Sequence, residues 1–245
     1  MILQTQAIVL KRFDFRETSQ IATFFTRDYG KVKGVLKGIR KDHKKFGSTI
    51  DQFSVNHLVY YSHRESDLHL IGQCDLKVFF FKIRQDVKRA LAASYILELV
   101  DAIMPVEEIN TEVYDLMINF LTVLEDCDDV SKLVHIFQIK ILLLSGFRPY
   151  LDSCVVCQKK ITPKMQFSMK LGGLLCEDCR ANDRAATAVS RGTIASLVHI
   201  EKNSWEHALR LKLTALTKKE LKYILNNFLV YHLERHLKAT RFLSA

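Results

Sequence analysis

Two Cys-x-x-Cys pairs, Cys154 with Cys157 and Cys176 with Cys179, open and close the stretch CVVCQKKITPKMQFSMKLGGLLCEDC. In each pair the two sulfurs are near enough to grip one ion, and 18 residues lie between the inner cysteines. That is the spacing of a four-thiolate zinc site. Thiolates at four tetrahedral corners leave no position for a water, so the expected Zn²⁺ is single and structural. Its task is to fold a loop with too little apolar content to fold alone. The other two cysteines, Cys74 and Cys127, stand alone in the sequence, which speaks against a disulfide framework.

A second group could do electrostatic work. Arg27, Lys31, Lys33, Lys37, Arg40, Lys41, Lys44 and Lys45 crowd into nineteen positions, interleaved with glycine and flanked by Tyr29 and Phe46. On a strand Lys31, Lys33 and Lys37 share parity and so one face. Such a face is a track for phosphates, and glycine lets a nucleic-acid backbone come close. The competing role is an exposed edge strand guarded by lysines.

Other combinations carry less. His232 and His236 are four apart on a predicted helix, but no third ligand accompanies them, and they read as ordinary helix histidines. Gly30-Lys31 is no phosphate-binding loop, because the spaced glycine and the hydroxyl residue are missing. No nucleophile and base pair up, and no enzyme is expected.

The elements that must position these residues read in two styles. Residues 1–80 alternate in short strands, QTQAIVLKRF, SQIATFFTRD, KVKGVLKGI, DQFSVNHLVYY and DLHLIGQCDLK, with polar turns between them. Five such strands predict a small barrel of the OB type. From Phe79 the period becomes helical. Val87, Leu91, Tyr95 and Leu99 fall four apart on one expected face of the first helix, which Pro105 closes. TEVYDLMINFLTVLEDC and VSKLVHIFQIKILLLSG are two more helices, the latter ended by Gly146 and Pro149. A hairpin at Gly172-Gly173 is expected inside the cysteine loop. Ser190 is expected to cap a short helix, and Thr217 with Glu220 to form a capping box on a long last one. The class is α+β multidomain: an OB barrel over 1–80, a helical domain over 81–146 and 183–245, and a zinc module over 147–182 inserted in it.

The net charge of +9 is unevenly spread: 15 basic against 8 acidic residues in 1–85, 5 against 11 in 86–149, and 16 against 8 in 150–245. A basic front, an acidic middle and a basic back predict surfaces for different partners. The first residues lack a secretory signal, and the longest apolar run is too short for a bilayer, so a cytoplasmic protein without a membrane partner is expected.

At these residues the chain resembles bacterial RecO, the family of recombination mediators of the RecFOR pathway. AIVLKRFDFRETSQIATFFTRDYGKVKGVLKGIRK is similar to that family's opening, LLLSGFRPYLDSCVVC to its entry into the zinc loop, and GGLLCEDC to its exit. The likeness spans nearly the whole chain. It implies binding of single- and double-stranded DNA, annealing of complementary strands, and association with the nucleoid. It also implies partnership with RecR and engagement of the C-terminal tail of the single-strand binding protein SSB, so that a recombinase can load. Lys37 and Arg40 fall on the family's basic positions and the four cysteines on its metal positions. Gln158 departs from the glycine that many relatives carry after the second cysteine. An SSB tail is acidic and ends in phenylalanine, so its receptor needs an apolar slot rimmed by cations. Leu133, Phe137 and Ile141, spaced by four and flanked by Lys132 and Lys140, offer one; the same stripe could equally be core. The rival classes are an RNA-binding or translation-associated barrel protein with a zinc ribbon, and a zinc-dependent nuclease.

Overall fold

The computed structural model describes residues 1–39, 50–62, 66–162, 164–233 and 237–239. They divide into two compact units, one holding residues 1–127 and 237–239, the other residues 128–233.

In the first unit, strands β1 (Ile2–Phe15), β2 (Ser19–Thr26), β3 (Gly30–Leu36), β4 (Ser54–Tyr61) and β5 (Leu68–Phe79) close a barrel in the order β1-β2-β3-β5-β4. Neighbours are antiparallel except β3 and β5, which close the barrel in parallel register from Lys33 opposite Leu68 to Val35 opposite Leu70. This is the five-stranded OB arrangement that the alternating strands predict. Ala7, Val9, Ala22, Phe24, Val32, Leu36, Leu58, Tyr60, Ile71 and Cys74 fill the interior.

Residues of opposite parity should face solvent, since side chains alternate along a strand. Yet Ile8, Leu10, Ile21, Thr23 and Phe25 are also buried. Helices α2 (Val87–Ile103) and α3 (Thr111–Leu124) account for this. α2 packs on β1, and the Tyr114 ring stacks on Phe25 at 6.5 Å. The outer face of β2, and that of β1 at Ile8 and Leu10, is therefore core.

The predicted first helix is two: α1 (Phe81–Gln85) and α2, separated by Asp86, which caps α2 by accepting from the Arg89 amide. The row of Val87, Leu91, Tyr95 and Leu99 is not one face. At 3.6 residues per turn a four-residue step drifts by about 40°, so three steps carry Val87 well away from Leu99. Val87 is 75% exposed, and Ala92, Ala93, Ile96, Leu97, Val100 and Ile103 join Tyr95 and Leu99 inside. Gly30 has φ of 63°, and a Cβ there would overlap the Glu108 backbone. Its bare α-carbon lets residues 106–108 lie along β3, where the Glu107 amide donates to the Lys31 carbonyl at 3.2 Å.

In the second unit, α4 (Val130–Leu144) is surrounded by α5 (Arg191–Lys202), α6 (Trp205–Arg210) and α7 (Ala215–Leu233). β6 (Met165–Ser168), β7 (Gly173–Cys176) and β8 (Thr187–Val189) form a small sheet in the order β7-β6-β8, and Phe167 of β6 meets Phe228 of α7 edge-on at 5.7 Å. Gly172, at φ of 72°, supplies the expected turn between β6 and β7. Ser190 caps α5, as predicted, by accepting from the Thr193 amide. The cap of α7 differs from expectation. Thr214, three residues upstream, accepts from the Thr217 amide, and Thr217 is buried within the first turn. Glu220 instead accepts from both the amide and the hydroxyl of Ser190. Among the described residues no helix is long and apolar enough to cross a membrane.

Candidate metal centre and nucleic-acid interface

The four motif cysteines converge from two loops. Cys154 and Cys157 sit in a turn closed by the Gln158 amide donating to the Cys154 carbonyl at 2.9 Å, and that turn is held to the sheet by the Val155 amide on the Leu174 carbonyl. Cys176 ends β7, and Cys179 lies in the 3₁₀ turn Glu177–Asn182 that follows. Gly173 allows the assembly to close, because a Cβ there would run into the Tyr150 carbonyl. The Tyr150 amide donates to the Gly172 carbonyl at 2.8 Å, and the Leu174 amide to the Tyr150 carbonyl at 3.0 Å. Gln158 itself stands at φ of 59°, the left-handed region that favours glycine. The knuckle turn therefore carries a side chain where none is favoured.

The sulfurs of Cys154, Cys157, Cys176 and Cys179 all lie within 4.8 Å of one another. Four ligands at ~2.3 Å from one ion form a tetrahedron with edges near ~3.8 Å; Cys157 and Cys176 are 3.6 Å apart. The donor set also calls for a cation on electrostatic grounds. Burial opposes ionisation of Cys154, but backbone amides of Cys157, Cys176 and Val156 outweigh it and bring the thiol down to about 6. The neighbouring Cys157 sulfur, and then burial, push Cys179 up to about 12. Four thiolates this close do not form together without positive charge between them. The quartet can hold a metal ion and is compatible with zinc. Across the two knuckles, exposed Lys159 and Lys164 reach Asp178 and Glu177 at 2.8 and 3.2 Å.

The predicted cationic track is less continuous than its sequence. Arg27 is exposed on the turn before β3, its guanidinium 4.0 Å from the Asp115 carboxylate. Lys31 is turned inward and only 13% exposed, donating to the Asp101 carbonyl at 2.8 Å and lying 3.6 Å from its carboxylate. Lys11 reaches the same carboxylate at 2.7 Å. Lys33 and Lys37 are exposed. Arg27 and Lys37 lie beyond opposite ends of β3, about 20 Å apart at strand rise. Arg40, Lys41, Lys44 and Lys45, like His236, lie outside the described residues. Of the eight predicted cations, the structure therefore leaves Lys33 and Lys37 open, ties Lys31 into the fold, and sets Arg27 at the far end.

A cationic group that spacing did not single out lies at the Lys37 end of the barrel. Arg12 and Arg84 share the Asp51 carboxylate at 2.8 and 3.4 Å, and Arg84 lies over the Phe79 ring at 4.7 Å. Its sequence signal is FFFKIRQ, residues 79–85, where aromatics adjoin cations.

The apolar slot expected on α4 is not open. Leu133, Phe137 and Ile141 are fully buried. Lys132 donates to the Leu209 carbonyl at 2.8 Å, and Lys140 to the carbonyls of Glu201, at 3.3 Å, and Asn203. α4 is enclosed by three helices, so its stripe is core and its two lysines tie neighbouring turns.

The family model for the recombination protein O N-terminal region matches residues 1–80, and that for its C-terminal region residues 84–241. Proteins named DNA repair protein RecO are similar along nearly the whole chain. The one from Caldanaerobacter subterraneus is 32% identical over 98% of this chain and 96% of its own. That from Desulforamulus reducens is 32% identical over 99% and 94%, and that from Syntrophus aciditrophicus 30% over 98% and 94%. With an OB barrel matched by the first model and the helices and cysteine quartet matched by the second, the chain belongs to the RecO family of DNA repair and recombination proteins.

Proposed function

We propose that the chain is a non-catalytic mediator that binds single- and double-stranded DNA, anneals complementary strands and, with RecR, helps a recombinase load onto strands covered by SSB. The observation that carries this reading is the pair of RecO family models lying end to end along the chain, the first coinciding with the closed barrel. The C-terminal tail of SSB is a partner in this reading, at a surface other than the α4 stripe. The setting is the cytoplasm, in association with the nucleoid.

Two complementary strands repel as polyanions until cations neutralise them. Lys33 and Lys37 offer exposed ammonium groups on and beyond β3, and the sequence that follows adds Arg40, Lys41, Lys44 and Lys45. Such contacts position phosphates without reading bases, as annealing of arbitrary sequence requires. In the second unit, Cys154, Cys157, Cys176 and Cys179 would hold one Zn²⁺, which supplies charge neutralisation and a fixed fold for the module. The proposed functional partition sets DNA binding in 1–80, a helical scaffold in 81–146 and 183–245, which the two compact units divide after residue 127, and the zinc module in 147–182.

The test is a mixing assay with labelled complementary oligonucleotides, bare and SSB-coated, with and without RecR. Faster annealing on both substrates is expected. A chain that binds DNA but accelerates neither would refute the mediator role, and length loss of the DNA would point to a nuclease.

A further inference from the structure

The Lys37 end of the barrel carries a connected set of planar groups. Arg12 and Arg84 meet on Asp51, so two cations share one carboxylate and the group stays positive. Arg84 is oriented twice over, by its donation to the Gln52 carbonyl at 2.8 Å and by its place 4.7 Å above the Phe79 ring. Phe79 in turn lies 6.4 Å from Phe81, their planes tilted by 39°. Phe81 is 57% exposed, a large apolar ring left in water. Its neighbour Phe80 is the one that turns into the core.

We infer that Phe81, backed by Phe79 and Arg84, is a stacking seat for an unpaired base of a single-stranded nucleic acid, with Arg12 placed for the adjoining phosphate. This deepens the DNA-binding reading above and rests on it. The chemistry selects the ligand. An exposed ring joined through Phe79 to a fixed guanidinium matches a flat π-face carried on an anion. Every base has such a face, so the seat tolerates any sequence. In a duplex the faces are hidden by stacking, so the seat distinguishes single from double strands, which phosphate contacts alone do not.

The test compares Phe81→Ala and Phe81→Trp with the parent by fluorescence anisotropy. The probes are a thymidine oligomer, an abasic oligomer of equal length, and a duplex. Loss of one stacked base should weaken binding of the thymidine oligomer roughly tenfold. Phe81→Trp should restore it, and affinities for the abasic strand and the duplex should stay unchanged. The slope of log K against log salt should also stay unchanged, because no cation is removed. Equal losses on all three probes, or none on the thymidine oligomer, would overturn the seat. So would a Phe81→Ala effect on self-association alone, which would make the ring a contact between copies. A parent that binds none of the probes would instead refute the DNA-binding reading itself.

Discussion

Lys31 and Asp101 are joined twice, by a 2.8 Å bond from the ammonium to the Asp101 carbonyl and by its 3.6 Å approach to the carboxylate. The carbonyl lies in the last turn of α2, where unpaired carbonyls gather negative charge and a cation is favoured. Lys31 thus fastens α2 to β3. Lys33, two residues on, has the same parity and remains exposed.

These two lysines should behave differently when truncated. Lys31→Ala leaves a partly buried carbonyl without its donor and is expected to cost ~1 kcal/mol of stability in urea unfolding. Lys33→Ala with Lys37→Ala should unfold like the parent but flatten the salt dependence of single-strand binding by roughly 0.7 per lost contact. Unaltered salt dependence in the double variant would remove both from the DNA surface.

The cysteine quartet predicts metal-dependent folding of the second unit. Cys176→Ser should lose bound zinc, measured by elemental analysis on protein purified without chelator. It should also lower the melting temperature, since structural zinc contributes on the order of 10 kcal/mol in small modules of this kind. Binding of bare DNA should survive, because the barrel has its own core. Parent protein with reduced thiols and no zinc would contradict the assignment.

Gln158 offers a stabilising change. Its left-handed backbone costs a non-glycine residue ~1–2 kcal/mol, against ~0.5–1 kcal/mol for the greater freedom of glycine when unfolded. Gln158→Gly should therefore raise stability by up to ~1 kcal/mol and retain zinc more firmly in a chelator competition. A lowered melting temperature would show that the glutamine side chain makes a contact worth more than the strain.

His135 should give the second unit a pH dependence. Burial holds its imidazole below the ordinary value of 6.5, against a weaker opposing effect of its bond to Gln138. Because the folded pKa is depressed, the unfolded chain takes up the proton first as pH falls. Stability is then full above 6.5 and declines below it, toward the folded pKa. His135→Gln should reduce that decline in urea titrations between about pH 6.5 and 5. A parent and variant with parallel pH profiles would exclude His135 as the source.

The RecO motifs, the cysteine quartet and the strand-to-helix change at Phe79 were all legible because each is written in local spacing. Two Cys-x-x-Cys turns specify a tetrahedron wherever the hairpin between them lies, and Gly172 carries the turn that hairpin needs. Five alternating strands likewise specify a barrel, because a short sheet of that kind buries its apolar face most fully by closing.

What spacing does not carry is which second face becomes covered. Alternation in β2 predicts one exposed row, but Tyr114 of α3 packs on Phe25 and the row is covered, so Ile21, Thr23 and Phe25 are buried like Ala22 and Phe24. For the same reason Lys31, in phase with Lys33 by period, is drawn under the end of α2. The α4 stripe carries equal sequence signal for a slot and for core, and only the arrival of three other helices made it core. Arg12, Asp51 and Arg84 are far apart in the chain, and only barrel closure and the start of α1 bring them together. Local periodicity determines which residues can share a face; burial and charge pairing depend on what packs there, and that is a property of the tertiary fold.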